Sequence, residues 1–203
     1  MSNHSDLRYT LPSPVDAELA LSLERAHRET RVLDLLVGVW ALLLAKCCLL
    51  QAAILYWSIP ISGLFYIWAL SLSLGIFATF HYLRAYRTEL KIIPTNRRTG
   101  SALLFGIFLT LTGSAHAVFA LELATPSALA ALACSLGGIH ACVQGAMRRR
   151  PEPLLGALIW WIAAWQCLRQ PVDFALVCVG LALIFGQALP SFALVRAANR
   201  YRA

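Results

Sequence analysis

The sequence predicts an all-α polytopic membrane protein whose six transmembrane helices form three helical hairpins, preceded by an amphipathic helix. Composition is the first reason: 59% of the 203 residues are hydrophobic and only 13% are charged, whereas about a quarter are charged in soluble domains. Mean hydropathy is +0.67. Apolar runs of about twenty residues, long enough to cross a bilayer as helix, alternate with basic segments. These features exclude an ordinary soluble domain.

The first segment, residues 1–31, is a hydrophilic lead-in. Proline at position 14 follows a serine and precedes an acid, which is typical of a helix start. Apolar residues then recur at helical spacing, at Val15, Leu19, Leu23 and Ala26. We expect an amphipathic helix that lies on the membrane surface or against the helix bundle.

Residues 32–203 are predicted to form the six-helix transmembrane domain. The spans are expected at about 32–57, at a second run ending near 82, and at 101–123, 127–147, 154–168 and 174–195. Short turns join the members of each pair, which gives three hairpin repeats at about 32–87, 100–150 and 153–200. The longest interior loop is expected at 84–100.

Basic residues set the orientation. Fifteen of the seventeen lysines and arginines lie in 1–31, 84–100, 148–153 and 196–203, which all fall on one side in a six-span arrangement. Because cytoplasmic loops carry the excess of Lys and Arg, both termini are predicted to be cytoplasmic. The expected partner is the lipid bilayer, and no nucleic acid is expected.

Glycine and proline recur at corresponding positions in each hairpin. A glycine lies near the start of each odd-numbered span, and a proline marks each outer turn (Gly38, Gly106 and Gly156; Pro60, Pro126 and Pro171). Because glycine lets helices approach closely in membranes, we expect close packing at Gly106, Gly137 and Gly156. The repetition predicts a compact, roughly three-fold bundle.

With this charged lead-in, three hairpins, prolines at the outer turns and basic exits from the returning helices, the chain resembles the HdeD-like acid-resistance membrane proteins of bacteria. The resemblance covers roughly residues 17–200. It implies an inner-membrane protein without catalysis that acts in acid or envelope stress tolerance, as a homo-oligomer or with a membrane-protein partner. Lys46, the intramembrane histidines and the many cysteines depart from that pattern.

Lys46 is the first candidate functional residue because it lies near the middle of the first span. An ammonium there costs at least ~2.5 kcal/mol on insertion scales. We expect Lys46 to face the interior and hold a partner, so that its replacement by methionine impairs function. The alternative is a side chain that extends along a tilted helix to the outer surface.

His116 and His140, in the third and fourth spans, are the other candidates. Hydrogen bonding between helices, a proton relay and ligation of haem b are the three interpretations. The two rival functions are therefore a small transporter or channel that uses Lys46 and these histidines, and a haem-binding electron-transfer subunit.

Other chemistry is not indicated. The sequence lacks the phosphate-binding, nucleophile-elbow and zinc-protease motifs, namely G-x-G-x-x-G, Walker A, G-x-S-x-G and H-E-x-x-H. The six cysteines lie inside apolar runs and are expected to serve packing. Three acids at span ends are expected to be interfacial: Asp34, Glu122 and Asp173. We therefore predict no catalytic residue, metal or cofactor.

Overall fold

The computed structural model describes residues 14–60, 64–85 and 95–200, and side chains within 32–60, 66–85 and 102–197. The described residues are helical apart from short turns, as predicted. The helices are α1 (Pro14–Tyr56), α2 (Leu64–Ala85), α3 (Thr95–Phe119), α4 (Pro126–Arg148), α5 (Pro151–Cys167), α6 (Val172–Leu181) and α7 (Leu189–Arg200). A π-helical segment, Ala182–Ala188, joins α6 to α7.

Helix α1 combines two predicted elements. It begins at Pro14, as the sequence predicts, and runs without interruption for 43 residues to Tyr56. The lead-in and the first span are therefore one helix, and the expectation of a separate amphipathic helix is wrong. No proline or glycine stands between Val15 and Arg31 to end the helix.

Helix α3 differs from its predicted boundaries at both ends. Helix α3 begins at Thr95, inside the predicted interior loop, and ends at Phe119 rather than near 123. A turn follows in which Glu122 has a positive φ of 52°. Helices α4 and α5 both begin at a proline, Pro126 and Pro151. The backbone N–H of the first helical residue has no acceptor within the helix, so its absence in proline costs no hydrogen bond there.

In the part of the chain that the structure describes, five stretches are long and apolar enough to cross a membrane: Val32–Tyr56, Tyr66–Ala85, Ala102–Phe119, Pro126–Arg148 and Val172–Ala197. Helix α5 is shorter, with 17 residues. At 1.5 Å per residue it extends about 25 Å, at the lower limit for a span. The chain is therefore an all-α protein of membrane-spanning character.

The packing order of the helices is not three-fold. Within the described ranges, α2 contacts only α1, and α3 contacts only α4. The rod formed by α6, the π segment and α7 lies in the middle, with α1 on one side and α4 and α5 on the other. Since no helix of the first hairpin has a close backbone approach to a helix of the second among the described residues, the predicted three-fold bundle is wrong.

Small side chains form the core. Its central cluster consists of alanines, cysteines and one tryptophan, contributed by α4, α5, α6 and the start of the π segment. Large apolar side chains point outward instead, for example Leu70 and Phe77 on α2 and Phe108 on α3. Helices that pack through small residues and expose large apolar ones suit a lipid environment, where close backbone approach replaces the hydrophobic driving force.

The predicted glycine contacts hold in part. A Cβ on Gly137 would lie 2.8 Å from the ring of Trp160, and a Cβ on Gly156 would overlap the carbonyl oxygen of Gly186. These two close-packing positions are confirmed. Gly106 has nothing within 4 Å of such a Cβ, so the expectation for Gly106 is wrong.

The π segment has a cause in the sequence. Pro190 has no backbone N–H, so the carbonyl of Gly186, four residues earlier, loses its usual α-helical donor. The helix widens here, and the N–H of Leu189 bonds to the carbonyl of Ile184, five residues back. The carbonyl of Gly186, which lacks this donor, lies where Gly156 of α5 makes its backbone contact.

Candidate functional site at the arginine end of α4

A partly buried ion pair joins α1 to α4. Nη1 of Arg148, the last residue of α4, donates a hydrogen bond to Oδ1 of Asp34 over 2.6 Å. Asp34 is only 8% exposed, so it packs against the other helices, and its depth at the start of the first span stays a prediction. The two residues are 114 positions apart in the chain.

Local structure places Arg148 for this contact. Arg149 adopts the left-handed conformation at φ 51° and ψ 43°, and the N–H of Arg150 bonds to the carbonyl of Gly145 over 3.1 Å. This turn ends α4 at Arg148, and α5 begins at Pro151 after two intervening residues. A cation in the last turn also suits the negative end of the helix dipole. Arg148 is therefore held at the junction of α4 and α5.

The ion pair connects α1 to α4, although the backbones of these two helices do not approach each other closely. Among the described residues, α1 and α4 have no close backbone approach, because the α6–α7 rod and α5 lie between them. Removing Arg148 would leave the carboxylate of Asp34, 8% exposed, without its counter-charge. Asp34 and Arg148 thus couple two helices through side chains alone.

Further polar atoms near this end are buried without a hydrogen-bond partner among the described side chains. They are Nδ1 of His140, Nε of Arg148 and Oε2 of Glu152. His140 lies eight residues before Arg148, about 12 Å along the helix axis. We call Asp34, His140, Arg148 and Glu152 the polar cluster.

Lys46 does not belong to the polar cluster. Its side chain is exposed and shares the outer face of α1 with Val39, Leu42 and Leu50. The inner face of the same helix consists of small residues such as Ala41, Ala45 and Ala52. The expectation that Lys46 faces the interior is therefore wrong, and the alternative, a side chain that extends along a tilted helix to the outer surface, stays a prediction.

The two candidate histidines occupy different environments. His116 is exposed on α3, whereas His140 is half-buried on α4. Helix α3 does not contact α1 among the described residues, so His116 and Lys46 do not share a site. Of the three candidate residues, only His140 is partly buried between the helices.

The cysteines are reduced and mostly buried. Five are buried and Cys142 is half-buried, and none forms a disulfide in the described part of the chain. Their small apolar side chains fill the core beside alanine, as predicted. Within the described residues, no group of three or more His, Cys, Asp or Glu side chains is arranged to hold a metal ion.

No protein-family model matches the chain, and no curated protein or solved structure matches it. Sequence reasoning missed Asp34 and Arg148 as partners. A usable signal was present, since the acid lies near the start of the first span and the arginine directly after the fourth. Both ends are predicted on the same side of the membrane, so the two charges match in depth.

Proposed function

We propose that the protein is a six-span protein of the bacterial inner membrane that acts without catalysis in acid or envelope stress tolerance. Both termini lie in the cytoplasm. This is the role that the resemblance to the HdeD-like proteins implies. The observation that carries the proposal is the partly buried ion pair between Asp34 and Arg148, because protonation of the Asp34 carboxylate would weaken this connection.

The sixth span in this proposal is α5. Its largest packing surface is against α4, to which two residues connect it, so the two helices run antiparallel. An antiparallel partner of similar length that packs along a membrane helix crosses the same bilayer. With α5 crossing, the arginines of the 148–150 turn and the basic tail lie on the cytoplasmic side.

Acid acts on the pair through the carboxylate of Asp34. When ionised, the carboxylate balances the guanidinium of Arg148; when protonated, it loses the Coulombic attraction to the partly buried arginine. The charged or titratable groups nearby are His140 on the same helix and Glu152 at the start of α5. Protonation of Asp34 therefore loosens the connection between α1 and α4, and this change is the proposed response to cytoplasmic acidification.

Acid survival of a strain that lacks the gene tests the proposal. Wild-type protein should restore survival, whereas Asp34→Asn and Arg148→Gln should not, although both variants insert in the membrane. Glu122→Gln, in the exposed turn after α3, is the matched control and should behave as wild type. Equal acid survival with and without the gene would contradict a role in acid tolerance.

The rival functions receive less support from the geometry. A transporter pathway lined by Lys46 and the histidines would require inward side chains, but Lys46 and His116 are exposed on helices that do not touch. Paired haem ligation would require His116 and His140 to enter one pocket, and His116 lies on an outer surface. The polar cluster remains the region where function is proposed.

A further inference from the structure

Lys46 places a positive charge in the middle of an apolar stretch. It lies fourteen residues after Val32 and ten before Tyr56, the two ends of that stretch, which are about 21 Å and 15 Å along the helix axis. The other lysines, arginines and acids in the five apolar stretches all lie within two residues of an end. A charge at mid-membrane is costly without a partner, and such residues commonly serve function.

The side chain of Lys46 belongs to an open strip on α1. The strip also contains Val39, Leu42 and Leu50, which are 49%, 42% and 40% exposed. These positions are three or four residues apart, so they lie on one face of the helix. We call Val39, Leu42, Lys46 and Leu50 the Lys46 strip.

Neighbouring helices cover α1 on both sides of the Lys46 strip. Leu43 contacts Gly75 of α2, and Leu49 contacts Gly180 of α6; in both cases a Cβ on the glycine would lie 2.8 Å from the leucine side chain. Each leucine is three residues from Lys46, so the two point about 60° to either side of it. The strip is therefore the open side of α1, between α2 and α6.

This chain has no carboxylate at the depth of Lys46. Within the same apolar stretch the acid is Asp34, twelve residues or about 18 Å away, and Asp34 pairs with Arg148. Of the ten acids in the sequence, five lie in residues 1–31 and the others lie at, or between, the ends of apolar segments. A second copy in the same orientation therefore offers no mid-membrane carboxylate either.

Lipid is a poor counter-ion at this depth. The phosphate groups of lipids lie outside the hydrocarbon core. To reach them at the outer surface, the four-carbon stem of Lys46 would have to span much of the 15 Å that separates this residue from Tyr56 along the helix. Charge complementarity therefore favours a carboxylate supplied within the membrane by a different protein.

We propose that the Lys46 strip is a docking surface for the transmembrane helix of another membrane protein, and that this helix carries an aspartate or glutamate near its middle. The carboxylate neutralises the ammonium at matching depth. The apolar residues of the strip pack against the same helix, and polar contacts between helices add to association in a membrane. This docking does not depend on the proposed role in acid tolerance.

Fluorescence energy transfer in phosphatidylcholine vesicles tests the docking surface. The full-length protein carries a fluorescent C-terminal fusion, and the labelled probes are peptides of about twenty leucine and alanine residues with glutamate or leucine at the centre. We expect association with the glutamate peptide to be roughly tenfold stronger than with the leucine peptide. Lys46→Met should abolish this preference. Arg84→Gln, which removes a charge at the exposed end of α2, is the matched control and should retain it.

Measurements on the wild-type protein do not depend on how well a variant folds. Equal association of the glutamate and leucine peptides would overturn the proposal. Stronger association of a peptide whose glutamate lies near one end would also overturn it, because Lys46 would then extend to the membrane surface. Energy transfer between two copies of the protein that disappears in Lys46→Met would assign the strip to a second copy and would contradict the proposed partner.

Discussion

The interface between α4 and α5 and the outer faces of α2 and α3 are built in opposite ways. At the interface, Gly137 and Gly145 receive the side chains of Trp160 and Leu154 at distances that leave no room for a Cβ. On α3, Gly106 and Gly113 have nothing within 4 Å. Both regions contain glycine and large apolar residues, yet only one is packed.

The difference shows what determines packing in this protein. Where small residues of one helix face a large residue of another, the backbones approach and the helix pair is fixed. Where large apolar residues line the outer surface, as Leu104, Phe105 and Phe108 do on α3, the helix presents a surface suited to lipid. Apolar character therefore places a helix in the membrane, and side-chain size decides which face packs.

Replacement of Trp160 by alanine should give the largest effect. The ring is 6% exposed and contacts both Gly137 of α4 and Gly186 of the π segment. Loss of such a side chain from a packed core lowers the free energy of unfolding by about 3–5 kcal/mol. Unfolding of the purified protein in detergent measures it. Trp165→Ala, 58% exposed on the same helix, should change stability far less, and equal losses would remove the distinction between the two faces.

A smaller effect is expected at the matched glycines. Gly137→Leu forces a side chain against Trp160 and should lower the free energy of unfolding by about 1–3 kcal/mol through overpacking. Gly106→Leu enters open space and should leave it nearly unchanged. Thermal unfolding of the two variants side by side measures the difference. If Gly106→Leu proves as destabilising as Gly137→Leu, something absent from the isolated chain packs on α3.

Much of the fold could be predicted from local sequence. Apolar runs of sufficient length and the prolines at positions 14 and 126 locate helices, because chain length and missing N–H groups act locally. Pro190 also carried a local signal for the π segment four residues earlier. The continuity of α1 was missed because a change from polar to apolar residues was interpreted as an element boundary.

The candidate site was harder to predict because it depends on which helices are neighbours. Asp34 and Arg148 pair across 114 positions, and no periodicity within one helix shows that contact. The direction of Lys46 did have a signal. Its neighbours one turn away, Leu42 and Leu50, are large, whereas the alanines lie on the other face, and in this chain small residues face inward.

The smallest effect is expected for Lys46→Met. Since the side chain is exposed beside Leu42 and Leu50, no buried partner is left behind, and surface substitutions usually change stability by within about 0.5 kcal/mol. Membrane abundance and thermal unfolding in detergent should match wild type. A large loss of either would show that the outer face of α1 is covered by another molecule in the membrane.

Whether α5 crosses the membrane tests the account most directly, because this decides whether the chain has five or six spans. Reporter fusions that are active on only one side of the membrane can be placed after Arg149, after Gln170 and at the C-terminus. A cytoplasmic signal after Arg149, a periplasmic signal after Gln170 and a cytoplasmic signal at the C-terminus are the expected results. Cytoplasmic signals after both Arg149 and Gln170 would contradict the account, since α5 would then not cross and the basic tail would lie outside.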